Sequence, residues 1–202
     1  MQEKKLKIGD RECRSILSKA NGTPILFLHG FSYTSEIWRK IGILEALTEK
    51  GIPYLALDMP YGKQSECVPK SRNEDVNVKF AISVFKEEFE KEMPIIIVGA
   101  SMGGHIALKC AMQFPTKGLL LISPTRTNDK QLLQAYNEFN FPIKIIWGSK
   151  DNIVAQEELQ DFKSKLHNAK ISIYEGAGHS AYKDQPEKFK MELLELYKEA
   201  TE

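Results

Sequence analysis

The segment Gly99-Ala100-Ser101-Met102-Gly103 matches G-x-S-x-G. It stands between the apolar run Pro94 to Val98, with three consecutive isoleucines, and a helical pattern from Gly103 to Phe114. A strand-to-helix turn is the context in which this pentapeptide raises a serine hydroxyl above a sheet as a nucleophile. Glycines are needed at 99 and 103 because a Cβ there would collide with the neighbouring strand and helix, and Gly104 leaves further room. The new helix starts at the turn, so its free N–H groups face the hydroxyl and favour developing negative charge. An oxyanion formed by attack of Ser101 needs donors: Met102 N–H, next to the nucleophile, and Phe31 N–H, in the loop after an earlier strand.

A serine hydroxyl needs a base. The chain has four histidines, His29, His105, His167 and His179. His105 and His167 fall within helical patterns, where structural roles are expected, and His29 precedes the Phe31 loop and is placed to order it. His179 follows the last strand in a small-residue loop, Gly176-Ala177-Gly178, that can lower an imidazole onto Ser101. The imidazole in turn needs a carboxylate to fix its tautomer. Asp151, just past the Trp147 strand, is favoured. Asp129, after the preceding strand, is a rival, and Asp184 is another but lies close to His179 in the chain.

These groups require a sheet to hold them together. Lys4 to Ile8 and Arg11 to Lys19 flank Gly9-Asp10 as an antiparallel hairpin. Strands are expected at Pro24 to Leu28, Ile52 to Leu57, Pro94 to Val98, Leu119 to Ile122, Ile143 to Trp147 and Ile171 to Tyr174. Helices are expected over Glu36 to Lys50, Val76 to Glu92, Gly103 to Phe114, about Gln156 to His167 and Pro186 to Glu199. This alternation predicts an α/β fold: a mainly parallel sheet with helices on both faces and an antiparallel N-terminal hairpin. Sites in such sheets form at the carboxyl ends of the strands, where His29, Asp58, Ser101, Asp151 and His179 all fall.

With 202 residues, one domain over 1–202 is the expectation. Lys plus Arg is 28 against 27 for Asp plus Glu, which offers no support for a nucleic-acid or membrane-surface binder. No apolar run reaches the ~18 residues of a membrane span. The residues from Met1 to Glu12 carry no apolar core of a signal peptide. Cys13, Cys67 and Cys110 are odd in number and far apart, so buried free thiols and a cytoplasmic location are expected.

Across nearly its full length the chain resembles the α/β-hydrolase superfamily, and among its members the small, lidless ones such as the α/β-hydrolase domain-containing protein 14 subfamily. The resemblance is carried by Phe27-Leu28-His29-Gly30-Phe31, Ser35-Glu36-Ile37-Trp38, Ala56-Leu57-Asp58-Met59-Pro60, Gly99 to Gly104, Gly148 to Asp151 and Gly176 to His179. It implies a cytosolic serine hydrolase of esters or related acyl groups with no cofactor and no metal, a triad of Ser101, Asp151 and His179, and Asp58 as the anchor of its turn. The chain departs from the common D-x-P-G-x-G turn, with Tyr61 and Lys63 at the glycine positions. The 20 residues from Ser123 to Pro142 leave no room for a cap domain, so an open site is expected. Ser32, Tyr33, Tyr61, Ser123 and Tyr182 are the candidate substrate-binding residues. The expected partner is a small acyl ester, with the chain a monomer or weak dimer. Deacylation of thioesters or amides, acyl transfer, and a non-catalytic interaction module are the alternative readings.

Overall fold

The computed structural model describes all 202 residues. One mixed sheet runs through the molecule in the order β1-β2-β4-β3-β6-β7-β8-β9, with β5 paired to β2. The strands are β1 (Gln2–Ile8), β2 (Arg11–Ser18), β3 (Ile25–Leu28), β4 (Tyr54–Leu57), β5 (Cys67–Val68), β6 (Ile95–Ala100), β7 (Thr116–Ile122), β8 (Ile143–Gly148) and β9 (Ala169–Tyr174). β3, β4 and β6 to β9 pair in parallel, while β1 and β2 form the antiparallel hairpin.

The central strands are apolar on both faces because helices cover both. In β6, Ile95 and Ile97 point into one core and Ile96 and Val98 into the other. In β3, Leu26 and Leu28 likewise oppose Ile25 and Phe27. The first core packs under α3 (Glu74–Glu88), α4 (Met102–Ala111), α5 (Lys130–Ala135) and α6 (Gln156–Ser164). The second packs under α1 (Glu36–Lys40), α2 (Ile43–Glu49), α7 (Ala181–Asp184) and α8 (Pro186–Thr201). Truncating one of these fully buried isoleucines to alanine costs ~2–5 kcal/mol. Between β7 and β8 the chain makes only α5 and a single 3₁₀ turn at Tyr136–Glu138, with no cap domain.

Two expectations are corrected. The helix over Glu36 to Lys50 is two helices, α1 and α2, broken at Gly42 (φ +74°). The periodicity hid the break because Ile37, Ile41 and Leu44 pack on one core from both pieces. The free-thiol expectation fails at two of three cysteines: β5 lies antiparallel to β2, Cys13 faces Cys67, and the pair forms a disulfide. Cys110 stays a free, buried thiol whose pKa burial pushes up to about 12. The short elements α7 and β5 are additional to the expected ones and carry no apolar periodicity long enough to read. No helix is long and apolar enough to cross a membrane.

Candidate active site

Ser101 sits where β6 meets α4, with φ +52° and ψ −116°. Such a backbone is strained for a residue with a side chain. Close packing holds it: a Cβ on Gly99 would lie 2.4 Å from the Gly103 carbonyl oxygen, and one on Gly103 2.2 Å from that of Leu28. Gly104 would meet Pro124 at 2.9 Å. The turn is also pinned by Ser101 N–H donating to the Ile122 carbonyl at 2.8 Å. Met102 is the first residue of α4, so its N–H has no carbonyl within the helix. Neither this N–H nor that of Phe31 takes part in the loop and turn hydrogen bonds.

The Phe31 loop is ordered from below by His29. Met59 N–H donates to His29 Nε2 at 2.9 Å, so Nδ1 carries the proton and donates to the Gly30 carbonyl at 2.8 Å. Burial holds this imidazole below its ordinary pKa, which keeps it neutral and suits both bonds. Asp58 anchors the flanking loops, accepting from Ser35 N–H at 2.7 Å and Glu66 N–H at 2.6 Å.

At the far side of the nucleophile, His179 Nδ1 lies 2.9 Å from Asp151 Oδ2 and 3.0 Å from Oδ1. A carboxylate only accepts, so Nδ1 carries the proton and Nε2 keeps its lone pair. The Asp151 side chain is fully shielded from solvent, and His179 is 17% exposed. Burial opposes ionisation of Asp151. The nearby Ser123 hydroxyl, the Val154 and Ile153 N–H groups and His179 outweigh it and hold the carboxyl below the usual range. The two loops that carry the pair are laced together: Lys150 N–H donates to the Ala177 carbonyl at 2.9 Å and Gly176 N–H to Ser149 Oγ at 2.8 Å. Asp184 accepts from Gly178 N–H at 2.9 Å, so this rival carboxylate braces the His179 loop. Asp129 instead caps α5 and binds Lys109 Nζ at 3.0 Å.

Ser101 and His179 line one cavity of about 200 Å³ together with Phe31, Ser32, Tyr33, Ile153, Ser180 and Tyr182. Ser101 Oγ makes no hydrogen bond to the ring, and contacts between a nucleophile and its base often tighten only when substrate binds. Of the candidate substrate-binding residues, Ser32, Tyr33 and Tyr182 reach this cavity. Tyr61 does not: it is buried, its hydroxyl donates to the His29 carbonyl, and its ring lines a neighbouring cavity. Ser123 does not either. Its backbone sits at φ +43°, and its buried hydroxyl stands beside Asp151 without an aligned bond. A loop position after β7 said nothing about which way this short side chain turns. Ile153 and Ser180 were missed by sequence reasoning, although each lies within two residues of a triad candidate. Tyr33 OH and Ser180 Oγ are 3.1 Å apart across the cavity wall.

Glu74, His105 and Asp129 approach one another closely enough to hold an ion. The Lys109 ammonium, however, lies 3.0 Å from Asp129 and 3.5 Å from Glu74, supplying positive charge where a metal would stand.

Comparison with known proteins agrees with this architecture. The chain is 28% identical over 180 residues to Protein ABHD14A of Mus musculus, covering 88% of this chain and 71% of that protein. It is 27% identical over 192 residues to ABHD14B of Rattus norvegicus, covering 94% and 90%. Among solved structures it superposes on a hydrolase from Thermoplasma acidophilum with a TM-score of 0.84, 22% identity and 96% of each chain covered. An esterase from Thermogutta terrifontis gives 0.80, 14% identity and full coverage of both. The family model described as alpha/beta hydrolase domain matches residues 22–200, and the chain belongs to that family.

Proposed function

We propose that this protein is a serine hydrolase that cleaves carboxylic esters or related acyl groups through an acyl-enzyme on Ser101. The observation that carries the reading is the His179–Asp151 pair, at 2.9 Å, in the cavity that Ser101 also lines. His179 Nε2 takes the hydroxyl proton as Ser101 Oγ bonds to the substrate carbonyl carbon. The negative charge moves to the carbonyl oxygen, where the N–H groups of Phe31 and Met102 face it. Collapse breaks the bond to the leaving group, which accepts the proton from Nε2. Water, deprotonated by the same nitrogen, then attacks the acyl carbon and releases the acid and Ser101. No step calls for a cofactor or metal.

Amide and thioester deacylation would use the same groups, and the rat relative's name provisionally describes a protein-lysine deacylase. The test is hydrolysis of a small activated ester by wild type and Ser101→Ala. Removal of the nucleophile is expected to lower turnover ~10³-fold or more. Turnover undiminished in that variant would overturn the reading.

A further inference from the structure

A second cavity, of about 230 Å³, adjoins the first and shares Phe31 with it. Met102 lines it, while Ser101 and His179 do not. The residues that carry the two candidate oxyanion donors, Phe31 and Met102, thus both border the second cavity, and Phe31 borders the first as well. That arrangement sorts the limbs of a substrate. The leaving group must reach His179 Nε2 to be protonated, so its limb extends into the cavity that His179 lines. The acyl limb then points the other way, past Phe31 and Met102.

The chemistry of this second cavity is unlike that of the first. Arg72 reaches it with its guanidinium 5.3 Å from the Phe31 ring centroid and without a carboxylate partner. Arg126 reaches it from a left-handed backbone, φ +54°, an uncommon conformation for a residue with a side chain. The His105 ring is 2% exposed and also lines the cavity, and its Nδ1 has no hydrogen-bond partner. A buried polar atom without a partner is costly unless something supplies one. One acid, Glu74, is present, but it is already engaged: Arg126 Nη1 lies 2.6 Å away, His105 Nε2 3.1 Å and Lys109 Nζ 3.5 Å. Burial opposes its ionisation, and these neighbours outweigh it and hold its carboxyl below the usual range. Arg126 spends one nitrogen on Glu74 and keeps the rest of its donor fork, and Arg72 keeps all of its own.

We propose that this cavity is the acyl subsite of the enzyme and that it selects acyl groups ending in a carboxylate, as in monoesters of short dicarboxylic acids. Arg72 and Arg126 hold the terminal carboxylate through charge-assisted hydrogen bonds. The proposal rests on the serine-hydrolase reading, since it takes the direction of the two limbs from Ser101 and His179.

The test compares two nitrophenyl esters of equal chain length, the monoester of adipic acid and the neutral hexanoate. Wild type is expected to show the larger kcat/KM on the adipate monoester. Arg72→Gln and Arg126→Gln are each expected to lower the adipate-to-hexanoate ratio of kcat/KM about tenfold, as removal of a charge-assisted contact should. A ratio in wild type that favours hexanoate, or one that neither variant changes, overturns the proposal. Binding separates this outcome from failure of the catalytic reading. Free adipate is titrated calorimetrically into Ser101→Ala, where turnover plays no part. Where neither ester is hydrolysed, binding that weakens about tenfold in the Arg72→Gln background still supports the subsite. Absence of adipate binding overturns it even if hexanoate is hydrolysed, and leaves the hydrolase reading standing.

Discussion

Two carboxylates follow adjacent strands of the sheet, and locally they are built alike. Asp151 comes after β8 and accepts from the N–H groups two and three residues on, Ile153 at 2.8 Å and Val154 at 3.0 Å. Asp129 comes after β7 and does the same with Gln131 at 2.9 Å and Leu132 at 3.3 Å. Both are held below their ordinary pKa against the opposing effect of burial. They differ in what stands opposite: His179 for Asp151, the Lys109 ammonium for Asp129. The partner is decided by backbone approach. Gly148 ends β8 so close to the His179 loop that a Cβ there would lie 2.2 Å from the Gly178 carbonyl oxygen. A carboxylate at a strand end thus becomes a candidate triad acid only where two loops can pack backbone to backbone.

The largest expected effect sets the two acids against each other. Asp151→Asn leaves the fold in place but lets His179 adopt the wrong tautomer, and ester turnover should fall ~10⁴-fold. Asp129→Asn keeps an α5 N-cap and should leave turnover within about twofold, because a loop side chain away from the site contributes little. Rates on one activated ester, with melting curves as folding controls, decide this. The reversed result would place the acid one strand earlier.

A middle-sized effect comes from the loop contact itself. Gly148→Ala forces the β8 end and the Gly178 loop apart, at a cost of ~1–3 kcal/mol for overpacking. It also displaces the imidazole, and a shift of about 1 Å can cost ~10²-fold in rate. Both the melting temperature and kcat should fall. Normal turnover in a destabilised variant would show that the contact supports folding without positioning His179.

The smallest effect lies in acid stability. Each carboxyl titrates lower in the folded chain than its ordinary value of 3.8. As pH falls below that value the unfolded chain binds protons first, so the stabilisation is fully present above 3.8 and is lost toward the lower folded values. Urea unfolding across this range should show each Asn variant less stable than wild type near neutrality, with the difference narrowing in acid. The gap should be wider for Asp151, whose side chain is fully shielded, than for Asp129, which is 28% exposed. Equal gaps would mean that burial does not distinguish the two.

Much of this was legible in the sequence because the relevant signals are local. An apolar run ending in Gly99 to Gly103 specifies a turn that few other arrangements tolerate, and strand ends place Asp151 and His179 on one edge of the sheet. What stayed hidden depends on contacts between distant segments. The second cavity draws Arg72 and Arg126 from loops and His105 from α4, and singly each reads as an ordinary surface cation or helix residue. Cys13 and Cys67 meet across strands that are 54 residues apart in sequence. Tyr61, in place of a usual glycine, reads as a loop residue beside the nucleophile. Instead its hydroxyl turns inward to the His29 carbonyl and the residue borders the second cavity, a placement set by the tertiary space beneath the loop.

The central claim is that Ser101 is a nucleophile activated by His179 under the control of Asp151. The most direct measurement is the rate of covalent labelling by a fluorophosphonate, followed by intact mass and peptide mapping, because it needs no knowledge of the substrate. The account predicts one adduct, on Ser101, formed rapidly in wild type and in Asp129→Asn, much more slowly in Asp151→Asn, and absent in Ser101→Ala. An adduct on another residue, or equal labelling rates in the two aspartate variants, would contradict it.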